Sequence, residues 1–185
     1  RVAMAMTELA EWDWPREPRF MAVTPITHAA GAIVLPVLLR GGTVIVARGF
    51  EPARFRALVR EHRATMTFVV PTMIYRLLDE PGFDAAALAS LEVVIYGAAP
   101  ISPQRLAEAI GRIGPVFMQL YGQSEAPNCI TALRRADHDP ERHPGRLASC
   151  GVPIGAVQVA LLDDAGDEVP DGEVGEICVR GPLVM

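Results

Sequence analysis

No lysine occurs in the 185 residues, so all 17 basic side chains are arginine, and any step that needs a lysine amine must draw it from outside this chain. Cysteine is scarce as well. Cys129, Cys150 and Cys178 are odd in number and widely spaced, and without a CxxC pair they suggest neither a zinc site nor a dithiol redox centre. That usage fits a reducing, cytoplasmic setting. No basic stripe appears, and the net charge of -5 comes from interspersed acids and arginines, which argues against a nucleic-acid or anionic-membrane partner. The longest apolar run, Ala29 to Leu39, is about half the ~20 residues that a membrane-spanning helix requires and contains Pro36, so it reads as a buried helix. No basic stretch leads into a short apolar run near Arg1, so no signal peptide is expected, and the ends RVAMAM and GPLVM look cut from something longer. No GxGxxG follows any predicted strand, which disfavours a doubly wound dehydrogenase domain.

What is present is an apolar half of the composition, enough to bury a sizeable core, and a regular alternation of patterns. Strand RFMAVTP is followed by helix HAAGAIVLPVLLR, strand TVIVA, helix EPARFRALVREHR, strand TMTFVVP and helix PTMIYRLLDE. Strand LEVVIYG then leads to helix SPQRLAEAIGRIG, opened by Ser102 as cap and Pro103 in the first turn, and to strand PVFMQLYG. Strands connected in this way form a parallel sheet covered by helices. After Glu125 a polar, Pro-rich loop, RRADHDPERHPGR, leads to VQVALLDDAGDEVPDGEVGEICVRG, whose strands flank Asp164, Gly166, Asp171 and Gly172 and read as antiparallel β. The expected organisation is an α/β portion over 1–140 and the start of a β-rich subdomain over 141–185, with the boundary between Ala136 and Ser149.

Ligands of a parallel sheet sit beyond the carboxyl ends of its strands, and two of those ends carry unusual loops. In YGAAPIS, Gly97, Ala98, Ala99 and Pro100 offer almost no bulk, so a flat ring could lie against the backbone. In YGQSEAP, the Tyr121 ring can stack on a heterocycle and Gly122 permits close approach. Ser124 can donate to a phosphate oxygen, and Glu125 can hold Mg²⁺. A single nucleotide would satisfy all four.

The ordered series PITHAAG, GGTVIV, VVPTMIYRLL, YGAAPIS, QLYGQSEAP and GEICVRGPLVM resembles the middle of an acyl-CoA synthetase of the adenylate-forming superfamily, over essentially the whole chain. The resemblance implies a two-step reaction. A carboxylate attacks the α-phosphate of ATP to give an acyl adenylate and pyrophosphate, and the thiol of coenzyme A then displaces AMP. It implies adenine between Gly97 to Pro100 and the Tyr121 ring, with Gln119 and Gly122 bordering the slot, Ser124 as phosphate donor and Glu125 as the Mg²⁺ ligand. Ser124 stands where the family usually has threonine and keeps the hydroxyl. Leu120 stands where related ligases often have glycine, so its side chain bears on acyl-chain preference.

His28, in PITHAAG, corresponds to the family's histidine at the junction of acyl pocket and reacting carboxylate. Thr27, His28, Ile33, Met73 and Leu120 are the expected pocket wall. An amino-acid-activating subgroup carries an aspartate in this region, and TPITHAAGA has no acid, so a substrate without a charged α-amine is expected. The family's phosphate loop is expected before Arg1, its ribose-binding aspartate after Met185, and its catalytic lysine on a further domain, so the segment alone is expected to be inactive. The competing reading is a nucleotide-binding or interaction module without catalysis. Of the other histidines, His138 and His143 read as parts of a solvated loop and His62 as part of a surface face. Glu176 and Arg180 read as structural residues of the final hairpin.

Overall fold

The computed structural model describes residues 2–185. The chain opens with helix α1 (Val2–Glu11), then strand β1 (Arg19–Ala22), helix α2 (Ala29–Leu39), strand β2 (Thr43–Val46) and helix α3 (Pro52–His62). Strand β3 (Met66–Val69), helix α4 (Pro71–Leu78), strand β4 (Val93–Tyr96), helix α5 (Pro103–Ile113) and strand β5 (Phe117–Gln123) complete the alternation. Strands β6 (Ala126–Leu133), β7 (Val152–Pro153), β8 (Gln158–Leu162) and β9 (Glu176–Arg180) follow.

Seven strands form one sheet in the order β2-β1-β3-β4-β5-β6-β7, parallel from β2 through β5 and antiparallel from β5 onward. The last two strands pair with each other in a separate antiparallel ladder, Gln158↔Arg180 through Leu162↔Glu176. The expected α/β class, a mostly parallel sheet flanked by helices and followed by antiparallel β, is the observed one.

Period-two alternation divides the core. Phe20 and Ala22 pack with Trp12, Ile33 and Val37 on the face covered by α1 and α2. Met21 and Val23 pack with Phe55, Ile74 and Leu106 on the face covered by α3, α4 and α5. Because both faces are covered, the central strands carry apolar side chains on each, which is why they read as near-continuous hydrophobic runs.

Helix starts follow local chemistry. The Glu51 carboxylate accepts from the backbone N–H groups of Ala53 (3.1 Å) and Arg54 (2.7 Å), and Pro52 occupies the first turn of α3. Ser102 accepts from the Arg105 N–H at 3.4 Å to start α5, the cap expected from sequence.

Three differences from the sequence reading stand out. Helix α1 was not anticipated, although its alanines and methionines favour helix and it covers part of one core. Strand β6 was not anticipated either, because Pro127 and Asn128 at its start are turn formers and its later residues are buried on both faces, so no alternation marks it. Helix α2 is not buried all round. Ala30, Ile33 and Val37 face the core while Leu35, Leu38 and Leu39 are exposed.

Candidate functional site

The register Tyr96↔Gln119 sets the two unusual loops side by side at the carboxyl end of the sheet. Gly97 follows directly from β4 and lies against β5 so closely that a β-carbon there would sit 2.5 Å from the Leu120 carbonyl oxygen. No side chain fits, so glycine is required. Ala98 then turns with a left-handed backbone, φ +65°, and Ala98, Ala99 and Pro100 form an exposed ledge of small residues.

Strand β5 directs Leu120 into the core shared with Ile33, and Tyr121 to the opposite face. Tyr121 is half-buried, and its hydroxyl accepts from the Gln123 amide at 2.9 Å. Between Tyr121 and Gln123 the β5–β6 pairing shifts register. Gly122 occupies that irregularity, where a β-carbon would meet the Asn128 backbone nitrogen at 2.4 Å. Ser124 and Glu125 are the two linking residues of the hairpin, both exposed, and the Glu125 carbonyl accepts from the Met185 N–H at 2.9 Å. The tight polar turn inferred from YGQSEAP is therefore this hairpin tip, beside the Gly97 to Pro100 ledge.

The Gln119 amide, turned with its nitrogen toward the loop, reaches the Cys150 and Ser149 carbonyls at 3.0 and 3.2 Å. It is committed to holding that loop.

His28 caps α2 with its backbone only. Its N–H donates to the Pro25 carbonyl (3.1 Å), its carbonyl accepts from Gly31 (2.9 Å), and its exposed imidazole makes no capping bond. Ile33 and Leu120 meet in one apolar cluster, whereas Thr27 is exposed beside His28. Met73 lies apart from them. It packs on the other face of the sheet, against a small apolar void bordered by Phe50, Phe55, Val94 and Phe117. Of the pocket wall expected from sequence, Ile33 and Leu120 share a face, and Met73 does not join them.

Two buried polar arrangements were not singled out from sequence. Glu8, on α1, is fully buried. Its Oε1 accepts from the Asn128 amide at 3.3 Å, its Oε2 has no partner, and burial pushes its carboxyl up to about 8 against the smaller opposing effect of that hydrogen bond. The same Asn128 nitrogen lies 3.5 Å from the Ala29 carbonyl, next to His28. Burial raises the neighbouring Cys129 thiol, and the charges of Glu8 and Glu11 raise it further. In sequence Glu8 is one of two acids, with Glu11, in the largely apolar VAMAMTELAEW, and nothing local marks it as the buried one.

His138, read from sequence as part of a solvated loop, is instead buried. Its Nδ1 donates to the Arg134 carbonyl (2.8 Å), which leaves Nε2 to accept from the Tyr96 hydroxyl (2.9 Å). Tyr96 packs edge-on against His138 and Phe117, so this part of the polar loop folds back over β4, while residues 141–146, His143 among them, stay exposed. Burial lowers the imidazole's proton affinity, and it raises the Tyr96 hydroxyl.

The Mg²⁺ expected at Glu125 would meet a sparse set of protein donors. Among the described residues no three His, Cys, Asp or Glu side chains gather to hold a metal. A single exposed carboxylate fits Mg²⁺, which binds through one or two carboxylates when phosphates and water complete its octahedron. Also among the described residues, no helix is long and apolar enough to cross a membrane.

The family described as AMP-binding enzyme matches residues 1–185. A medium/long-chain-fatty-acid–CoA ligase, FadD8, of Mycobacterium tuberculosis is 51% identical over 181 residues, which are 98% of this chain and 31% of that protein. A feruloyl-CoA synthase of an Amycolatopsis species is 39% identical over 179 residues, 96% of this chain and 35% of its own. Among solved structures, the amide bond synthetase McbA of Marinactinospora thermotolerans superposes with a TM-score of 0.88 at 34% identity, covering 99% of this chain and 37% of that one. The chain thus spans about a third of the length of the curated relatives it matches.

Proposed function

The chain belongs to the AMP-binding enzyme family, and on that premise we propose that it is the central part of an acid–thiol ligase that activates a carboxylic acid with ATP and passes it to coenzyme A. A carboxylate is resonance-stabilised and a poor electrophile, and AMP makes a better leaving group for thiol attack. In this reading the acid oxygen attacks the α-phosphorus, pyrophosphate departs, and the thiol later expels AMP from the acyl carbon.

The observation that carries the reading is the convergence, at one end of the sheet, of the Gly97 to Pro100 ledge, the Tyr121 ring and the exposed Ser124–Glu125 tip. The adenine lies against the ledge with Tyr121 on its other side, and Gly122 lets backbone approach the nucleotide. Ser124 donates to a phosphate oxygen. Glu125 would hold Mg²⁺, which would screen the negative charge that sets carboxylate and triphosphate apart. His28, exposed at the start of α2 with an uncommitted imidazole, orients the acid's carboxylate.

The acid itself is apolar, a fatty acid or an aryl acid. Leu120 and Ile33 lie in one apolar cluster on the His28 side of the sheet. Glu8 is linked to that junction through Asn128, and its carboxyl is raised to about 8. It is mostly neutral at pH 7, so it offers a substrate ammonium little counter-charge. FadD8, by its name, takes medium and long fatty acids, and the feruloyl-CoA synthase an aryl acid.

The test is a screen of a full-length protein carrying this segment for acid-dependent pyrophosphate release across fatty and aryl acids. Release that requires an apolar acid, ATP and Mg²⁺ is expected. Its absence with every acid would remove the proposal.

A further inference from the structure

Resting on the ligase reading, we propose that Glu8 and Asn128 form a positioning pair that holds the Ser124–Glu125 hairpin tip at a set offset from the start of α2. Asn128 has a left-handed backbone, φ +59°. Asparagine tolerates that conformation better than most residues, commonly with help from a local side-chain hydrogen bond. Here the amide is spent on two distant elements instead, the Glu8 carboxyl of α1 and the Ala29 carbonyl at the start of α2.

The consequence for the hairpin is steric. The Asn128 backbone lies so near Gly122 that only a hydrogen fits between them. Gly122 sits where the β5–β6 register shifts, between Tyr121 and Gln123. Displacing Asn128 therefore moves Gly122, and with it the ring of Tyr121 on one side and the Ser124–Glu125 tip on the other. On the far side of the pair, Ala29 adjoins His28, so the chain of contacts runs from the carboxylate-orienting end of the site to its metal-holding end. Glu8 is suited to this task because it is fully buried and makes its one side-chain hydrogen bond to Asn128. A second tether, the Met185 N–H on the Glu125 carbonyl, also holds the tip.

Neither residue touches the nucleotide in this account. Their role is geometric, and a double-mutant cycle separates it from a general contribution to folding. Glu8→Ala removes the acceptor. Asn128→Gly removes the amide while keeping the left-handed backbone free of strain. Glu8→Gln is the conservative variant, since its carbonyl oxygen still accepts from Asn128.

In the full-length protein carrying this segment, two readouts apply at a temperature where every variant is folded by circular dichroism. One is kcat and the Mg²⁺ half-saturation of acid-dependent ATP–pyrophosphate exchange. The other is hydrogen exchange at the amides of residues 121–126. Glu8→Ala and Asn128→Gly should each lower kcat about tenfold and speed amide exchange at the tip, the double variant should be no worse than either single one, and Glu8→Gln should recover most of both. Additive effects in the cycle would overturn the pair, as would a folded Glu8→Ala with unchanged kcat and unchanged amide exchange. If the wild-type protein exchanges no pyrophosphate, the ligase reading falls, and the amide-exchange cycle alone still decides for or against the pair.

Discussion

The Tyr96 hydroxyl donates to Nε2 of His138 at 2.9 Å, joining the last residue of β4 to a loop 42 positions later in the chain. Nδ1 of the same ring donates to the Arg134 carbonyl and burial favours the uncharged imidazole, so both nitrogens are used. Gly97 and the ledge follow Tyr96 directly, so the pair anchors the strand end from which the proposed adenine slot is built.

His138 sets an acid limit on stability. Its folded-state proton affinity is below the ordinary value of 6.5, so the unfolded chain binds the proton more tightly. Its contribution is complete above pH 6.5 and is lost as pH falls below it. The thermal midpoint of His138→Gln should drop less between pH 7.5 and pH 5 than that of the wild type; equal drops would show that the ring does not titrate on unfolding.

Glu8 works in the opposite direction. Its folded value of about 8 lies above the ordinary 4.5, so the folded state holds the proton more tightly. The stability this confers is full below pH 4.5 and is lost as pH rises through 8. Glu8→Gln should match the wild type near pH 5 and exceed its thermal midpoint at pH 8.5. Parallel midpoints at both pH values would mean that Glu8 is already ionised in the fold.

Replacing Glu125 tests the metal assignment. Glu125→Gln keeps the size of the side chain and removes its charge, and should reduce ATP–pyrophosphate exchange about a hundredfold, with part of the loss recovered by raising Mg²⁺. Rates equal to wild type at all Mg²⁺ concentrations would remove the metal assignment.

Leu120 tests the acyl side. Truncating a buried leucine opens a cavity, so Leu120→Gly should cost about 3 kcal/mol of stability and widen the range of acids accepted. An unchanged acid preference in a folded variant would count against a pocket role.

The alternation of strand and helix patterns from Arg19 to Gln123 was legible because apolar runs and turn residues mark its elements locally, and two of its helices carry their own side-chain caps, Glu51 and Ser102. The motifs YGAAP and YGQSE were legible for a similar reason. Glycine where backbones touch, and a hydroxyl and a carboxylate in a turn, are local choices that a sequence records. Their adjacency followed from the parallel order of β4 and β5.

Partnership across long separations was not legible. Glu8 and Asn128 are 120 positions apart and Tyr96 and His138 are 42, and neither pair has a motif, since a buried polar residue looks like an exposed one until its surroundings are folded around it. Strand β6 was hidden likewise, because burial on both faces erases the alternation that would announce it. The face on which Met73 lies was equally a matter of packing. By itself, then, the order of residues determined the element types and the chemical groups offered at the strand ends. The three-dimensional packing decided which polar groups were removed from water and which partners they found there, because desolvation depends on everything that surrounds a side chain and not on its neighbours in the chain.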